Sequence, residues 1–168
     1  MDHLMKNTFI LFLSAFLVSS CGFIGLEPKS STDLTTITIK SGQSFGFCIG
    51  KCHAEMTIKG QNVDFLVKER NFESGVLENK EYAYKDVISA QKVSDIEKLI
   101  DTQKFFNLID VYGCPDCADG GSEWIEIITA DDKSKKVTFE YGKTVPEIEK
   151  LIKLLREERE TLHTKYVK

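Results

Sequence analysis

Four cysteines stand in two short motifs, Cys48-Ile-Gly-Lys-Cys52 and Cys114-Pro-Asp-Cys117. Nothing else in the chain restricts the fold as strongly, because a sulfur bridge holds two Cα atoms within roughly 4.4–6.8 Å of each other. Their chemistry depends on the compartment. In a reducing cell the spacings read as zinc ligands, Cys48, Cys52, Cys114 and Cys117, with His53 as a substitute. In an oxidising compartment an even number of cysteines reads as disulfides.

The start of the chain bears on that choice. Lys6 precedes an apolar run, residues 9–18 (FILFLSAFLV), followed by Ser19, Ser20 and Cys21. A charged start, a short apolar stretch and small residues before a cut describe a secretory leader. Ten helical residues span roughly 15 Å, about half the hydrocarbon core of a bilayer, so the run is too short for a stable span. Val18-Ser19-Ser20-Cys21 resembles the bacterial lipobox, in which the cysteine is lipidated and becomes the first residue. Met5-Lys6-Asn7 reads as a better start than Met1-Asp2-His3-Leu4. A cut one residue earlier by an ordinary signal peptidase would leave a soluble secreted protein. Acylation of Cys21 by more than one chain gives a stable anchor, at about 0.8 kcal/mol per buried methylene. Gly22 follows the cysteine, and by resemblance to lipoprotein sorting the absence of Asp there favours the outer membrane over the inner. The expected organisation is a signal peptide (1–20), a lipid-anchored tether (21–35) and one domain (36–168). Residues 22–35, GFIGLEPKSSTDLT, would span roughly 20 Å as a flexible chain.

With export, disulfides are expected, in any of three connectivities. Local pairing closes loops of about five and four residues, each contributing about 2 kcal/mol by loop entropy. Crossed pairing closes loops near about 65 residues and contributes about 4–4.5 kcal/mol. Entropy favours crossing, but geometry decides. Residues four apart in extended chain lie about 13 Å apart, so a Cys48–Cys52 bridge needs a tight turn, which Gly46 and Gly50 can supply. Cys114 and Cys117 close readily around Pro115.

Period-two patterning follows. Ile37 and Ile39 alternate in 36–40, Ala54, Met56 and Ile58 in 53–59, and Val63, Phe65 and Val67 in 63–68, with Gly60-Gln61-Asn62 as a turn. These read as antiparallel strands. Residues 71–80 are polar with Gly75 and read as a loop or irregular edge, and part of 81–93 as a strand. Ser94-Asp95-Ile96-Glu97 fits a capping box, with Ile96, Leu99, Ile100, Gln103 and Phe106 at helical spacing behind it. Residues 124–129 read as a strand, 131–134 as a turn, and Val137, Phe139 and Tyr141 as a returning strand. Thr144-Val145-Pro146-Glu147 opens a second helix with Pro in its first turn. Its stripe is Ile148, Leu151, Ile152, Leu155 and Leu162, and its Glu, Lys and Arg face is expected to be solvated. Clustered strands and following helices predict an α+β fold, an antiparallel sheet of about five or six strands with two helices packed on one face.

Residues 44–58, SFGFCIGKCHAEMTI, resemble the opening of an uncharacterised bacterial lipoprotein domain family marked by C-x-G-x-C before a strand. The chain keeps Cys48, Gly50 and Cys52, with His53 where Pro is usual and Glu55 where Tyr is usual. The order of strands and helices extends the resemblance over most of 36–160. The second cysteine pair is not part of the family pattern. The resemblance therefore implies that Cys48 closes on Cys52 and Cys114 on Cys117. It implies no activity.

Charge and motifs narrow the chemistry. The net charge is −4 with both signs interspersed, and no basic stripe points to nucleic acid. Cys114-Pro-Asp-Cys117 resembles the CxxC centre of thioredoxin-like enzymes, but Ala-Asp-Gly-Gly-Ser behind it is a poor helix start, and Asp116 and Asp119 would raise the thiol pKa. Asp110, Asp116, Asp119 and Glu123 surround Gly120-Gly121 as hard-oxygen candidates for Ca²⁺, at spacings unlike an EF-hand. No Ser/His/Asp set, G-x-S-x-G, H-E-x-x-H or phosphate loop occurs. The expectation is a membrane-anchored lipoprotein of the bacterial envelope, a non-catalytic binding or scaffold module without cofactor. Its partners would be the membrane, through the anchor, and an envelope protein or ligand. The alternative is a thiol-redox or metal-handling lipoprotein using Cys48, Cys52, Cys114 and Cys117.

Overall fold

The computed structural model describes residues 36–73 and 76–167. The leader, Cys21 and the tether lie outside the described residues.

The first four strands are β1 (Thr38–Ser44), β2 (Gly50–Lys59), β3 (Asn62–Glu73) and β4 (Val76–Val87). Helices α1 (Ala90–Leu99) and α2 (Thr102–Phe106) follow, then β5 (Val111–Tyr112), β6 (Ser122–Ile128), β7 (Ser134–Glu140) and the long α3 (Glu149–Tyr166). The strands form one sheet in the order β4-β3-β2-β1-β6-β7-β5. Alternation puts Ile39, Ala54, Met56, Ile58, Val63, Phe65, Val67, Ile125, Ile127, Val137 and Phe139 on one face. They join Ile96, Ile100, Phe105 and the α3 stripe in a single buried cluster. The other face is polar.

The fold is α+β, with corrections to the finer expectation. The sheet has seven strands, and β5 pairs with β7 in parallel. A two-residue strand carries no alternation to read; it is held by the Thr138 N–H donating to the Asp110 carbonyl at 2.8 Å and by the Lys135–Asp110 ion pair. Residues 71–73 and 76–80 are regular strand in a long β3–β4 hairpin rather than a loop, with β4 at the sheet edge. The last β2 partner of β3 is Gly50, opposite Arg70, so the hairpin overhangs the body. Both its faces meet water there, and Glu78, Asn79 and Lys80 are exposed strand residues.

The first helix begins one turn earlier than the capping box suggests. Ser89 is its cap, its side chain accepting from the Lys92 N–H at 3.2 Å. The helical stretch then breaks at Ile100, and Asp101 caps α2 through the Lys104 N–H at 3.0 Å. Before α3, Pro146–Ile148 form a 3-10 turn. One residue of the supposedly solvated face of α3 is inside: Arg159 is buried with Leu151, Ile152, Leu155 and Leu162.

Candidate functional site

Both cysteine motifs lie at one end of the sheet. Each closes on itself, Cys48 with Cys52 at a Cα separation of 5.8 Å and Cys114 with Cys117 at 5.5 Å. Gly50, at φ +103°, makes the bend that the short first bridge needs, a conformation that glycine adopts without Cβ strain. Residues 45–49 leave β1 and return into β2, with the Phe45 N–H donating to the Cys52 carbonyl at 3.1 Å.

The two loops are joined. The Gly46 N–H donates to Asp116 Oδ1 at 3.1 Å. From the other side Arg70 Nη1 donates to the Gly46 carbonyl at 2.6 Å. Phe45 meets Tyr141 with ring centroids 4.8 Å apart. The Cys114 N–H donates to Glu140 Oε1 at 2.8 Å, fixing the second loop to the end of β7. Within that loop Asp116, Ala118 and Asp119 have left-handed backbones, φ 60°, 50° and 58°, each a sparsely populated state outside glycine. The bridge and the Asp116 contacts hold this conformation.

A cleft of about 310 Å³ opens at the root of the first loop, lined by Ser44, Phe45, Cys52, His53, Lys68, Glu69, Arg70, Asn79 and Glu81. Its floor is one cross-strand row of the open sheet face, Ser44, His53, Lys68 and Glu81. The charges in it are matched: Lys68 pairs with Glu81 at 2.7 Å, and Glu69 accepts from Tyr82 at 2.8 Å and Asn71 at 2.9 Å. Burial pushes the His53 imidazole below its usual pKa; Glu55 acts against this, and Lys68 and Lys136 reinforce it. His53 is therefore neutral near pH 7. The ring rests 5.3 Å from that of Trp124. A second cleft, about 290 Å³, lies beside Cys114, Cys117 and Tyr141. Around these clefts stand four exposed apolar side chains: Phe47 (86 % exposed) and Ile49 (65 %) on the first loop, and Phe72 (64 %) and Leu77 (48 %), which face each other on the β3–β4 overhang. Neither loop composition nor periodicity marks these four as neighbours; sheet register brings them to one end.

The sequence candidates fall into place as follows. The four sulfurs are taken up two by two, so they do not gather as one tetrahedral set. Among the described residues no group of three or more His, Cys, Asp or Glu is placed to hold a metal ion. The oxygens proposed around Gly120-Gly121 are dispersed: Asp110 pairs with Lys135, Asp116 binds the Gly46 N–H, and Glu123 points into the protein against Arg156 and Arg159. Cys117 opens only a three-residue 3-10 turn with a left-handed residue inside, so no helix dipole faces the sulfurs. Two clues were available for the buried ion cluster. Glu123 continues the alternation of Ile125 and Ile127, and Arg159 fills the gap in the apolar stripe between Leu155 and Leu162.

Local bridges make a quantitative prediction. Replacing both cysteines of either pair by serine is expected to lower stability by about 2 kcal/mol, read from urea unfolding. Non-reducing mapping with chymotrypsin, which spares Lys51, is expected to give each pair within one peptide, lacking its two thiol hydrogens. A peptide joining the two motifs would reject the local arrangement.

Fold and site together define a small helix-covered sheet whose two disulfide loops form a shared, partly apolar tip. Compared with protein-family models, curated proteins and solved structures, the chain matches none. Among the described residues no helix is long and apolar enough to cross a membrane.

Proposed function

We propose that this chain is a lipoprotein of the bacterial envelope, anchored through Cys21 and sorted to the outer membrane rather than the inner, whose domain is a non-catalytic binding or scaffold module working through the disulfide tip. The resemblance of residues 44–58 to the uncharacterised lipoprotein domain family belongs to the same proposal. One observation carries it. β1 starts at Thr38 and ends at Ser44, beside the first disulfide loop, so chain arriving from residue 36 joins the domain at the opposite end. Seven extended residues separate the two ends by about 20 Å. A tether joined at that point leaves Phe47, Ile49, Phe72 and Leu77 at the end of the sheet farther from the anchor. Rigid loops carrying exposed aromatic and aliphatic side chains beside polar clefts suit recognition of another molecule. The matched charges in the cleft suit it better than proton transfer does.

Two measurements test the reading. Labelled palmitate is expected to enter the chain and to be lost in Cys21→Ala. A photo-crosslinking residue at Phe47 or Phe72 is expected to give a discrete adduct with an envelope component in cells, while one at Lys59, at the far end, gives none. Labelling failure rejects the anchor; equal behaviour at the three positions rejects the tip. Free thiols or bound zinc in the purified protein would support the thiol-redox or metal-handling alternative instead.

A further inference from the structure

We infer that β4 is a docking edge for a second copy of the same chain. Its twelve residues pair with β3 along their whole length, and no strand lies on the other side among the described residues. The phase of the ladder follows from the Ile88 N–H donating to the Gln61 carbonyl at 2.9 Å. Antiparallel bonding alternates along a strand, so even-numbered residues of β4 turn their backbone groups to β3. Asn79, Glu81, Ala83 and Lys85 turn theirs outward. Tyr166 Oη reaches the Lys85 carbonyl at 3.3 Å, and Asp86 Oδ1 takes the Val87 N–H at 2.9 Å. The free stretch therefore ends at Lys85.

Long exposed edges are usually protected by charges that oppose pairing. Here the charges favour pairing, and one register most. With Ala83 opposite its own copy on a two-fold axis, Glu81 faces Lys85, Tyr82 faces Tyr84 and Lys80 faces Asp86, each twice. Centring on Glu81 or Lys85 puts like charges face to face. Centring on Tyr82 puts Glu78 against Asp86, centring on Tyr84 makes no opposite-charge pair, and centring on Asn79 makes only Glu78 against Lys80, twice, where Ala83 makes four such pairs. The Ala83 register also extends existing pairs across the boundary. On the open face Lys68 holds Glu81 at 2.7 Å and Asp64 holds Lys85 at 3.4 Å, so charges alternate through four side chains from one copy to the other. On the helix face Lys165 holds Asp86 at 2.7 Å, and Lys80 of the second copy completes that row. About four backbone hydrogen bonds join the strands between Glu81 and Lys85 through groups with no other partner, and two more would share the Lys85 carbonyls with Tyr166; the two sheets become one.

The experiment uses the full chain in cells. In a directly bonded pair on the axis the two Cα atoms stand about 5.5 Å apart, within disulfide reach. Ala83→Cys is expected to give a covalent homodimer on oxidation with copper phenanthroline. Asn79→Cys, on the same edge but far from its own copy, is the control and gives little. Adding Lys85→Glu to Ala83→Cys sets carboxylate against carboxylate and is expected to cut the trapped dimer about tenfold, while Lys85→Arg preserves it. The Lys85 side chain is 90 % exposed, so a folding defect does not confuse the readout. Equal trapping at positions 83 and 79, indifference to Lys85→Glu, or trapping of a different chain at position 83 overturns the inference.

Discussion

Arg159→Ala is expected to destabilise the domain by about 2–3 kcal/mol, because it leaves a buried carboxylate with only one of its two guanidinium partners and a buried hydrogen bond unmade. Arg159 and Glu123 are both almost wholly enclosed, at 2 % and 1 % exposure. The guanidinium donates to Glu123 Oε2 at 2.8 Å, to Ser41 Oγ at 2.9 Å and to Gln43 Oε1 at 3.2 Å. Glu123 also accepts from Arg156 Nε at 3.1 Å and from the Gly142 N–H at 2.9 Å. Truncating Arg159 removes charge and hydrogen bonds together and leaves Ser41, also buried, without its partner. The double variant Glu123→Met/Arg159→Met leaves no stranded charge at this pair and is expected to lose less than Arg159→Ala. Guanidinium unfolding of the three proteins checks this. A loss under about 1 kcal/mol for Arg159→Ala would mean that the pair behaves as an exposed one.

The same cluster gives the stability a direction with pH. Burial raises the Glu123 pKa, but Arg156, the Gly142 N–H and Arg159 outweigh it, so the folded value lies below the ordinary 4.5. A carboxylate with a depressed folded pKa contributes stability that is complete above its unfolded value and lost as pH falls through the folded value. The penalty of Arg159→Ala is therefore expected to be full at neutral pH and to shrink below about pH 4.5, as protonated Glu123 needs no counter-charge.

Gly42→Val is expected to cost about 2–4 kcal/mol, combining overpacking with lost indole burial. Gly42 lies between Glu55 on β2 and Trp124 on β6 in register, and a Cβ there would enter the Trp124 ring. The indole lies over the glycine on the otherwise polar face, with Lys136 Nζ 4.5 Å from its centroid, and is only 6 % exposed. Displacing it must uncover it. Trp124 is the single tryptophan of the chain, so its emission is expected to shift to the red in Gly42→Val. Combined with Trp124→Leu, the cost of Gly42→Val is expected to fall, since the colliding ring is gone. Unchanged emission in the single variant would show that the ring does not depend on the glycine.

Much of the core was legible in advance. Ala54, Met56, Ile58, Val63, Phe65 and Val67 alternate because β backbone does, and each is buried. Leu151, Ile152, Leu155 and Leu162 recur at helical spacing and line the inside of α3. The hairpin overhang was not legible, since strands wetted on both faces need no apolar alternation. Ser94 misled because its S-x-x-E spacing fits a cap, yet Ser89 took that role one turn earlier. The site was legible only in part. Cysteine spacing allowed local closure, and the lipoprotein resemblance implied it, but no local signal said that Asp116 of one loop would hold Gly46 of the other.

The sequence by itself determined which residues face inward along each strand and helix, and that each cysteine pair could close within one turn. Those properties are set by backbone geometry over a few residues. Only the tertiary structure decided that β1, first in the chain, lies between β2 and β6, that the two disulfide loops share one tip, and that Arg159 meets Ser41 across 118 positions. Such meetings depend on which strands pair over long loops. Closure entropy changes only slowly with loop length, so burial of the whole sheet face under the three helices decided the order, and no short stretch of sequence records it.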